Sequence, residues 1–322
     1  MERRDIKFPT LDGLTLRGWL YPGVKGGPAV ILHNGVSVLV APASSVISVL
    51  LTLPVKFNYP KELILNPVAA WFQHHGLTVL VYDPRTVGES DGEPRSDLDQ
   101  RKLIEDMHDA VTFLKTFEWI DSKRIALWGF FWSGTQVLEA AAVDKRVAAV
   151  VSIGPVLDWT LDPTLGPPMM ALAMKDREAR VRGEPPIYIP FYKEEGEHFM
   201  IFKAFTDLSL EQRTMVAGMV EGAKGQAPRF ADNVTVQTLY RIANWSPFSR
   251  FTALGTTPVM LVIPEIDELS APVLQHKTFE TFSDPKVLEV AKGKGHFNYW
   301  HDANLDQLLD GQLKFLKRYL SF

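Results

Sequence analysis

Four short segments of the chain carry almost no polar residue: Ala29–Leu32, Thr78–Tyr82, Arg124–Trp128 and Val147–Ile153. Strands that are apolar on both faces must be covered on both faces, which is the situation of a parallel sheet between two layers of helices. The intervening segments have the matching helical spacing. In Lys61–His75, Leu63, Ile64, Val68, Trp71 and Phe72 share one face, and Gly76 stops the helix. A second helix, capped by Asp97 or Asp99, runs to about Glu118 with Ile104, Met107, Ala110, Val111 and Leu114 on one side. A third, rich in small residues, covers Trp132–Val143. The alternation returns with a strand at Pro258–Ile263, a helix near Pro272–Phe282, a strand at Val287–Ala291 and a closing helix over Asp306–Leu320. Ahead of it, Asp5–Thr10 and Leu14–Tyr21 form a hairpin turned at Asp12-Gly13. The fold class is α/β, a mostly parallel sheet with helices on both faces.

The alternation is broken once. Pro155–Ser249 holds Pro-rich stretches, an acidic group (Glu194, Glu195, Glu197) and amphipathic helices such as Leu208–Glu221. An interruption of this size at the end of a core strand is expected to form a helical cap over the site. The domains are then a core of residues 1–154 and 250–322 and a cap of residues 155–249. The acidic group reads as a solvated face. Cap aromatics such as Tyr188, Phe191, Tyr192, Phe199, Phe202 and Phe205 read as helix packing that can also face a ligand. Asp158 and Trp159 begin the cap and can line its pocket.

The third core strand delivers Leu127-Trp128-Gly129-Phe130-Phe131-Trp132-Ser133-Gly134. Strand, glycine, sharp turn and small-residue helix are the context of a nucleophile elbow, G-x-S-x-G, in which the turn exposes a serine at the end of the sheet. The other parts follow in the order that architecture requires. An acid, Asp267, stands in Pro264-Glu265-Ile266-Asp267-Glu268-Leu269 after the penultimate strand, and Lys294-Gly295-His296-Phe297 follows the last. The acid would orient His296 and stabilise its imidazolium, and His296 would act as general base. At the nucleophile position, however, the chain has Phe131. A phenyl ring has no proton to give and no lone pair to attack with. Ser133 is the nearest hydroxyl, but two positions into the helix its side chain should point elsewhere, and Thr135 is a weaker substitute still. The chain has no cysteine, which removes the thiol nucleophile together with disulfides and thiolate metal sites.

On these residues the chain resembles the α/β-hydrolase superfamily. It is similar in particular to fungal secondary-metabolite hydrolases grouped with the fumagillin-type polyketide transferase, distant relatives of the S15 peptidases. Asp83-Pro-Arg-Thr-Val-Gly-Glu-Ser-Asp-Gly-Glu-Pro-Arg95, Trp128-Gly129, Asp144-Lys-Arg-Val147, Glu265-Ile-Asp267 and Gly295-His-Phe297 carry the resemblance, which spans nearly the whole chain. It implies ester, thioester or acyl-transfer chemistry on an apolar acyl substrate, with no metal and no organic cofactor. It also implies an oxyanion hole formed by the backbone N–H of Trp132 and by a donor from the loop after the first core strand. Arg85 is either a substrate clamp or a structural ion pair at the strand end, the second being the better reading. His301, five residues after His296, shares no helical face with it and reads as surface.

That oxyanion loop is the second departure. It reads His33-Asn34-Gly35, then twenty residues without a charge from Val36 to Val55, then Lys56 and Phe57-Asn58-Tyr59-Pro60. Deleting Val36–Lys56 joins Gly35 to Phe57 and restores a family-like loop. Three readings compete: a membrane span, which the prolines Pro42 and Pro54 interrupt; a genuine insertion lining the pocket; and translated intron sequence. The last is favoured, because Val-Ser is what an in-frame GT donor encodes, a terminal AAG encodes Lys, and 21 residues at three nucleotides each make 63 nucleotides.

Lys plus Arg is 34 against 38 for Asp plus Glu, a net charge of −4 that gives no electrostatic reason to expect nucleic acid as a partner. The first residues lead straight into a strand with no apolar leader, so a cytoplasmic protein with no membrane partner is expected. Function then divides. One reading is a tailoring enzyme of polyketide metabolism with little or no serine-hydrolase activity, in which Asp267 and His296 act as a base for non-hydrolytic work such as cyclisation. The other is a catalytically silent binding or scaffold protein on the same fold.

Overall fold

The computed structural model describes residues 2–33, 60–62, 65–190, 201–209, 212, 227, 229–300 and 304–322. Gly35, Phe57, the run Val36–Lys56, the acidic group Glu194–Glu197, Phe191, Tyr192, Phe199, His301 and most of Leu208–Glu221 lie outside the described residues.

The core elements follow one another as β1 (Arg4–Pro9), β2 (Thr15–Tyr21), β3 (Gly27–His33), α1 (Leu65–His74), β4 (Thr78–Asp83), α2 (Gln100–Leu114), β5 (Ile120–Phe130), α3 (Trp132–Val143) and β6 (Val147–Ile153). After the cap the core is completed by β9 (Val259–Pro264) and β10 (Lys286–Ala291), with the helix Pro272–Glu280 between them and Leu305–Leu320 after them. Eight strands form one sheet in the order β1-β2-β4-β3-β5-β6-β9-β10. The β1–β2 and β2–β4 pairings are antiparallel and the others parallel. β3, β4 and β9 are buried along their whole length, as their continuous apolar runs require. Alternate residues serve opposite faces: Val30 and Leu32 join one buried cluster, Ala29 and Ile31 the other.

Three expectations need correction. The first helix is described over Leu65–His74 and does not include Lys61; Leu63 and Ile64 lie outside the described residues. Lys61 is tied to β4 instead, its backbone N–H donating to Asp83 Oδ1 (2.5 Å) and its ammonium to Asp83 Oδ2 (3.0 Å), a long-range anchor that local periodicity does not show. α2 stops at Leu114, short of Glu118. β5 is longer than Arg124–Trp128, because Gly129 and Phe130 still pair with Ser152 and Ile153 of β6. Asp99 is the N-cap of α2, accepting from the Arg101 N–H at 3.0 Å.

Between β6 and β9 the described residues hold α4 (Gly166–Val181), β7 (Tyr188–Pro190), α5 (Lys203–Thr206), β8 (Asn233–Thr235), α6 (Val236–Ala243) and α7 (Phe248–Phe251). The expected all-helical cap therefore also contains a two-stranded antiparallel sheet, β7–β8. Its strands are three residues each, too short to leave an alternation in the sequence. The cap is stitched to the loop before α2. Arg241 pairs with Asp97 at 2.9 Å, the Leu98 N–H donates to Thr238 Oγ1 at 2.8 Å, and the Thr235 hydroxyl donates to Asp97.

The Asp83–Arg95 run is a structural knot. Asp83 also accepts from the Glu89 N–H at 2.9 Å, and its carboxylate leaves no room for a side chain at Gly88. Arg85 is an ion pair and not a clamp: its guanidinium meets Asp106 at 2.5 Å and Asp12 at 2.8 Å. Asp106 is fully buried. Removing it in Asp106→Ala leaves a largely buried cation with one half-exposed partner, and urea denaturation is expected to show a loss of about 3 kcal/mol.

The anchors bear on the uncharged run. His33 pairs in register with Tyr82, and Lys61 is bound to the next residue of β4, Asp83. The chain leaves and re-enters the core at adjoining positions, so Asn34-Gly35 joined to Phe57-Asn58-Tyr59-Pro60, which reaches about 20 Å when extended, is ample to close the gap. A chain lacking Val36–Lys56 is expected to fold with an unchanged circular-dichroism spectrum and an equal or higher Tm.

His33 itself is buried, and burial pushes its imidazole down to about 4. The unfolded chain takes up that proton near pH 6.5 while the folded chain stays neutral, so stability falls as pH drops from 6.5 to 4. Relative to His33→Gln, the native chain should lose about 3 kcal/mol between pH 7 and pH 4 in urea melts.

Candidate active site

The sharp turn sits where the sequence places it. Phe131 has φ +63° and ψ −122°, and α3 starts at the next residue. The Phe131 N–H donates to Ile153 O at 2.8 Å and its carbonyl accepts from the Val156 N–H at 3.3 Å, which fixes the turn against the end of β6. A side chain at Gly129 would run into the Ser133 carbonyl, so the glycine before the turn is obligatory. Ser133 is not a substitute nucleophile in this geometry. Its hydroxyl accepts from the Phe130 N–H (2.9 Å) and donates to the Phe130 carbonyl (2.8 Å), closing the turn from inside, and the residue is fully buried. Thr135 is likewise committed, to Val156 O at 2.6 Å.

Asp267 and His296 come together at this turn. Asp267 Oδ1 lies 3.0 Å from His296 Nδ1, with both side chains buried. A carboxylate offers only lone pairs, so Nδ1 carries the proton and Nε2 is left with the basic lone pair. Asp267 is held from three further directions. Oδ1 accepts from the Leu269 N–H (3.0 Å) and the Ser270 N–H (2.8 Å), and Oδ2 accepts from Gln275 Nε2 (3.1 Å). These donors fix the rotation of the carboxylate. Sequence reasoning missed Gln275. Its only signal is a glutamine on the buried side of the helix after the acid loop, Pro272–Glu280, where the fully buried Gln275 faces Asp267.

Where a serine would meet the base, the Phe131 ring stands edge-on to the His296 ring, centroids 4.1 Å apart. Phe131 is fully buried and also touches Phe205 of the cap. The adjoining wall is aromatic. Trp132 lies 5.7 Å from Trp159 and 6.5 Å from Trp245, and Phe202 packs on Trp159. The charge beneath this wall is neutralised: buried Glu139 accepts from Trp245 Nε1 at 2.8 Å and pairs with Arg250. Asp158 is exposed and, among the described residues, bonds to Thr160. It stays outside this group.

Trp132 is the first residue of α3, so its backbone N–H lies at a helix N-terminus, where partial positive charge collects. The other expected oxyanion residues, Gly35 and Phe57, lie outside the described residues. The root of their loop is described. His33 Nε2 meets Gln136 Oε1 of α3 at 3.1 Å, joining the end of β3 to the helix that follows the turn. Among the described residues one carboxylate group has the spacing of a cation site, Glu62, Asp83 and Glu89. The Lys61 ammonium lies 2.9, 3.0 and 2.7 Å from those three acids and takes a cation's place. The three acids push its pKa up. No helix among the described residues is long and apolar enough to cross a membrane.

Comparison with known proteins agrees with this architecture. The family model of the X-Pro dipeptidyl-peptidase (S15 family) matches residues 37–166. The polyketide transferase grgF of Penicillium sp. is 39% identical over 323 residues, covering 100% of this chain and 98% of that protein. The polyketide transferase ATR5 of Stachybotrys chlorohalonatus is 38% identical, covering 100% and 99%. A thiohydrolase of Eupenicillium brefeldianum is 36% identical, covering 98% and 94%. Among solved structures, the α/β hydrolase GrgF from Penicillium sp. sh18 superposes with a TM-score of 0.83 at 38% identity over the whole of both chains. DcsB in complex with its substrate analogue gives 0.83 at 30% identity, covering 99% and 100%. Full-length matches at these identities leave one conclusion: the chain belongs to the fungal polyketide transferase and thiohydrolase family, on the α/β-hydrolase fold.

Proposed function

We propose that the protein is a tailoring enzyme of polyketide metabolism that works through the Asp267–His296 pair as a general base, without a covalent serine step. The observation that carries this reading is the exchange at the turn. The strained backbone and the oriented Asp–His pair are kept, while the residue that would attack is a phenylalanine packed on the histidine at 4.1 Å. A covalent route needs a nucleophile activated by the base, and the hydroxyls nearest the turn, Ser133 and Thr135, are committed to backbone carbonyls. A base route needs only Nε2, which can take a proton from a bound substrate and return it to another atom of that substrate.

The aromatic wall of Phe131, Trp132, Trp159 and Phe205 favours an apolar acyl or polyketide ligand. The relatives' names, polyketide transferase and thiohydrolase, point to the same substrate class. On this reading the Trp132 N–H, at the start of α3, would stabilise an enolate or oxyanion that forms when the base removes a proton. The thiohydrolase chemistry of relatives would survive here only weakly, since loss of a nucleophilic serine costs about 10⁶ in turnover in a well-characterised hydrolase.

A fluorophosphonate probe and a substrate assay test this together. The native chain is expected to take no label, and Phe131→Ser to gain it at residue 131. Conversion of a polyketide thioester by the native chain should fall about 10²–10⁴-fold in His296→Ala. Labelling of native Ser133, or conversion indifferent to His296→Ala, would overturn the reading. Binding of the thioester with no conversion at all would instead identify a binding protein on a hydrolase fold.

A further inference from the structure

The loop after β9 carries three acids, and each one holds a different point of the loop after β10. Glu265 takes the outer end, with Oε1 2.7 Å from Lys292 Nζ and Oε2 accepting from the Gly293 N–H at 2.8 Å. Asp267 takes the imidazole. Glu268 takes the backbone of the histidine itself, its Oε2 accepting from the His296 N–H at 2.7 Å. Backbone bonds from Glu265 N–H to Ala291 O (3.1 Å) and from Ile266 N–H to Lys294 O (2.9 Å) bring the two loops together at the base.

Gly295 shows that the Glu268 contact is built in. Its φ lies outside the left-handed region, so the backbone does not demand glycine there. A Cβ at this position would displace the Glu268 carboxylate, whose two oxygens would lie 2.6 and 2.7 Å from it. The glycine of the Gly-His-Phe motif therefore makes room for an acid to reach the next peptide N–H. Gly295 is anchored from the other side as well, its N–H donating to Asn298 Oδ1 at 2.6 Å.

We propose that Glu268 is a positioning residue for His296, and that Gly295 serves to admit its carboxylate. This rests on the reading of His296 as the base. An imidazole held only at Nδ1 can still swing about its own Cα. A second fixed point at the backbone N–H removes that freedom, so Nε2 keeps one direction toward the bound substrate. The charge-assisted bond is the stronger kind, and its geometry is set from a loop already fixed by Asp267 and Glu265.

The test uses the native chain and the proton NMR signal of His296 Nδ1–H, assigned by its loss in His296→Gln. Its solvent-exchange rate reports how firmly the ring is held against Asp267. Glu268→Ala and Gly295→Ala are each expected to raise that rate at least tenfold. Glu268→Gln, which keeps an acceptor for the backbone N–H, should stay close to native. In the Glu268→Ala background, Gly295→Ala should add almost nothing, because the group it would collide with is gone. A native resonance unmoved by Glu268→Ala overturns the role of Glu268, and so do additive effects of the two alanine substitutions. A native chain with no such resonance contradicts the Asp267–His296 pair, and with it the base reading itself.

Discussion

The turn from β5 into α3 holds Phe131 at φ +63°, a conformation that costs a non-glycine residue on the order of 1–3 kcal/mol. The strain is over-determined by its surroundings. Gly129 permits the close passage of the Ser133 carbonyl, the Ser133 hydroxyl bridges the two ends of the turn, and Ile153 O takes the Phe131 N–H. The rest of the site depends on this arrangement. It stops β5 two strands from β9, aims residue 131 at the loops that follow β9 and β10, and sets the N-terminus of α3 beside them. The same backbone would be needed to present a serine. It is kept here with a phenyl ring in the serine's place.

That substitution separates two functions that the fold usually joins. The proposed base is held in place: Asp267 receives four donors, and His296 is fixed at the ring and at the backbone. Residue 131 itself offers no proton and no lone pair for attack. The ring at residue 131 packs on His296 and on the cap residue Phe205, so the neighbourhood of the imidazole is aromatic. A proton acceptor in an apolar, aromatic site is suited to chemistry that begins with deprotonation of the ligand, not with attack by the protein.

The fold was legible because parallel strands buried on both faces write continuous apolar runs, and β3, β4 and β6 do so. Asp267, His296 and the turn at Phe131 were legible through their order along the chain, since each follows the end of a strand. Elements fixed by distant contacts were not. Lys61 leaves the helical pattern because Asp83 holds it, and β7 and β8 are too short to show a period. Gln275 and Glu268 looked like any other helix glutamine or loop acid. Their importance comes from what lies opposite them, Asp267 Oδ2 and the His296 N–H, across eight and 28 positions of sequence.

The central claim is that the site keeps a base and has no covalent step. Intact-mass spectrometry of the native chain during turnover of an acyl thioester tests it most directly. The account predicts product formation with the protein mass unchanged throughout. A native chain that accumulates an acyl adduct during turnover, on Ser133 or on any other side chain, would contradict it.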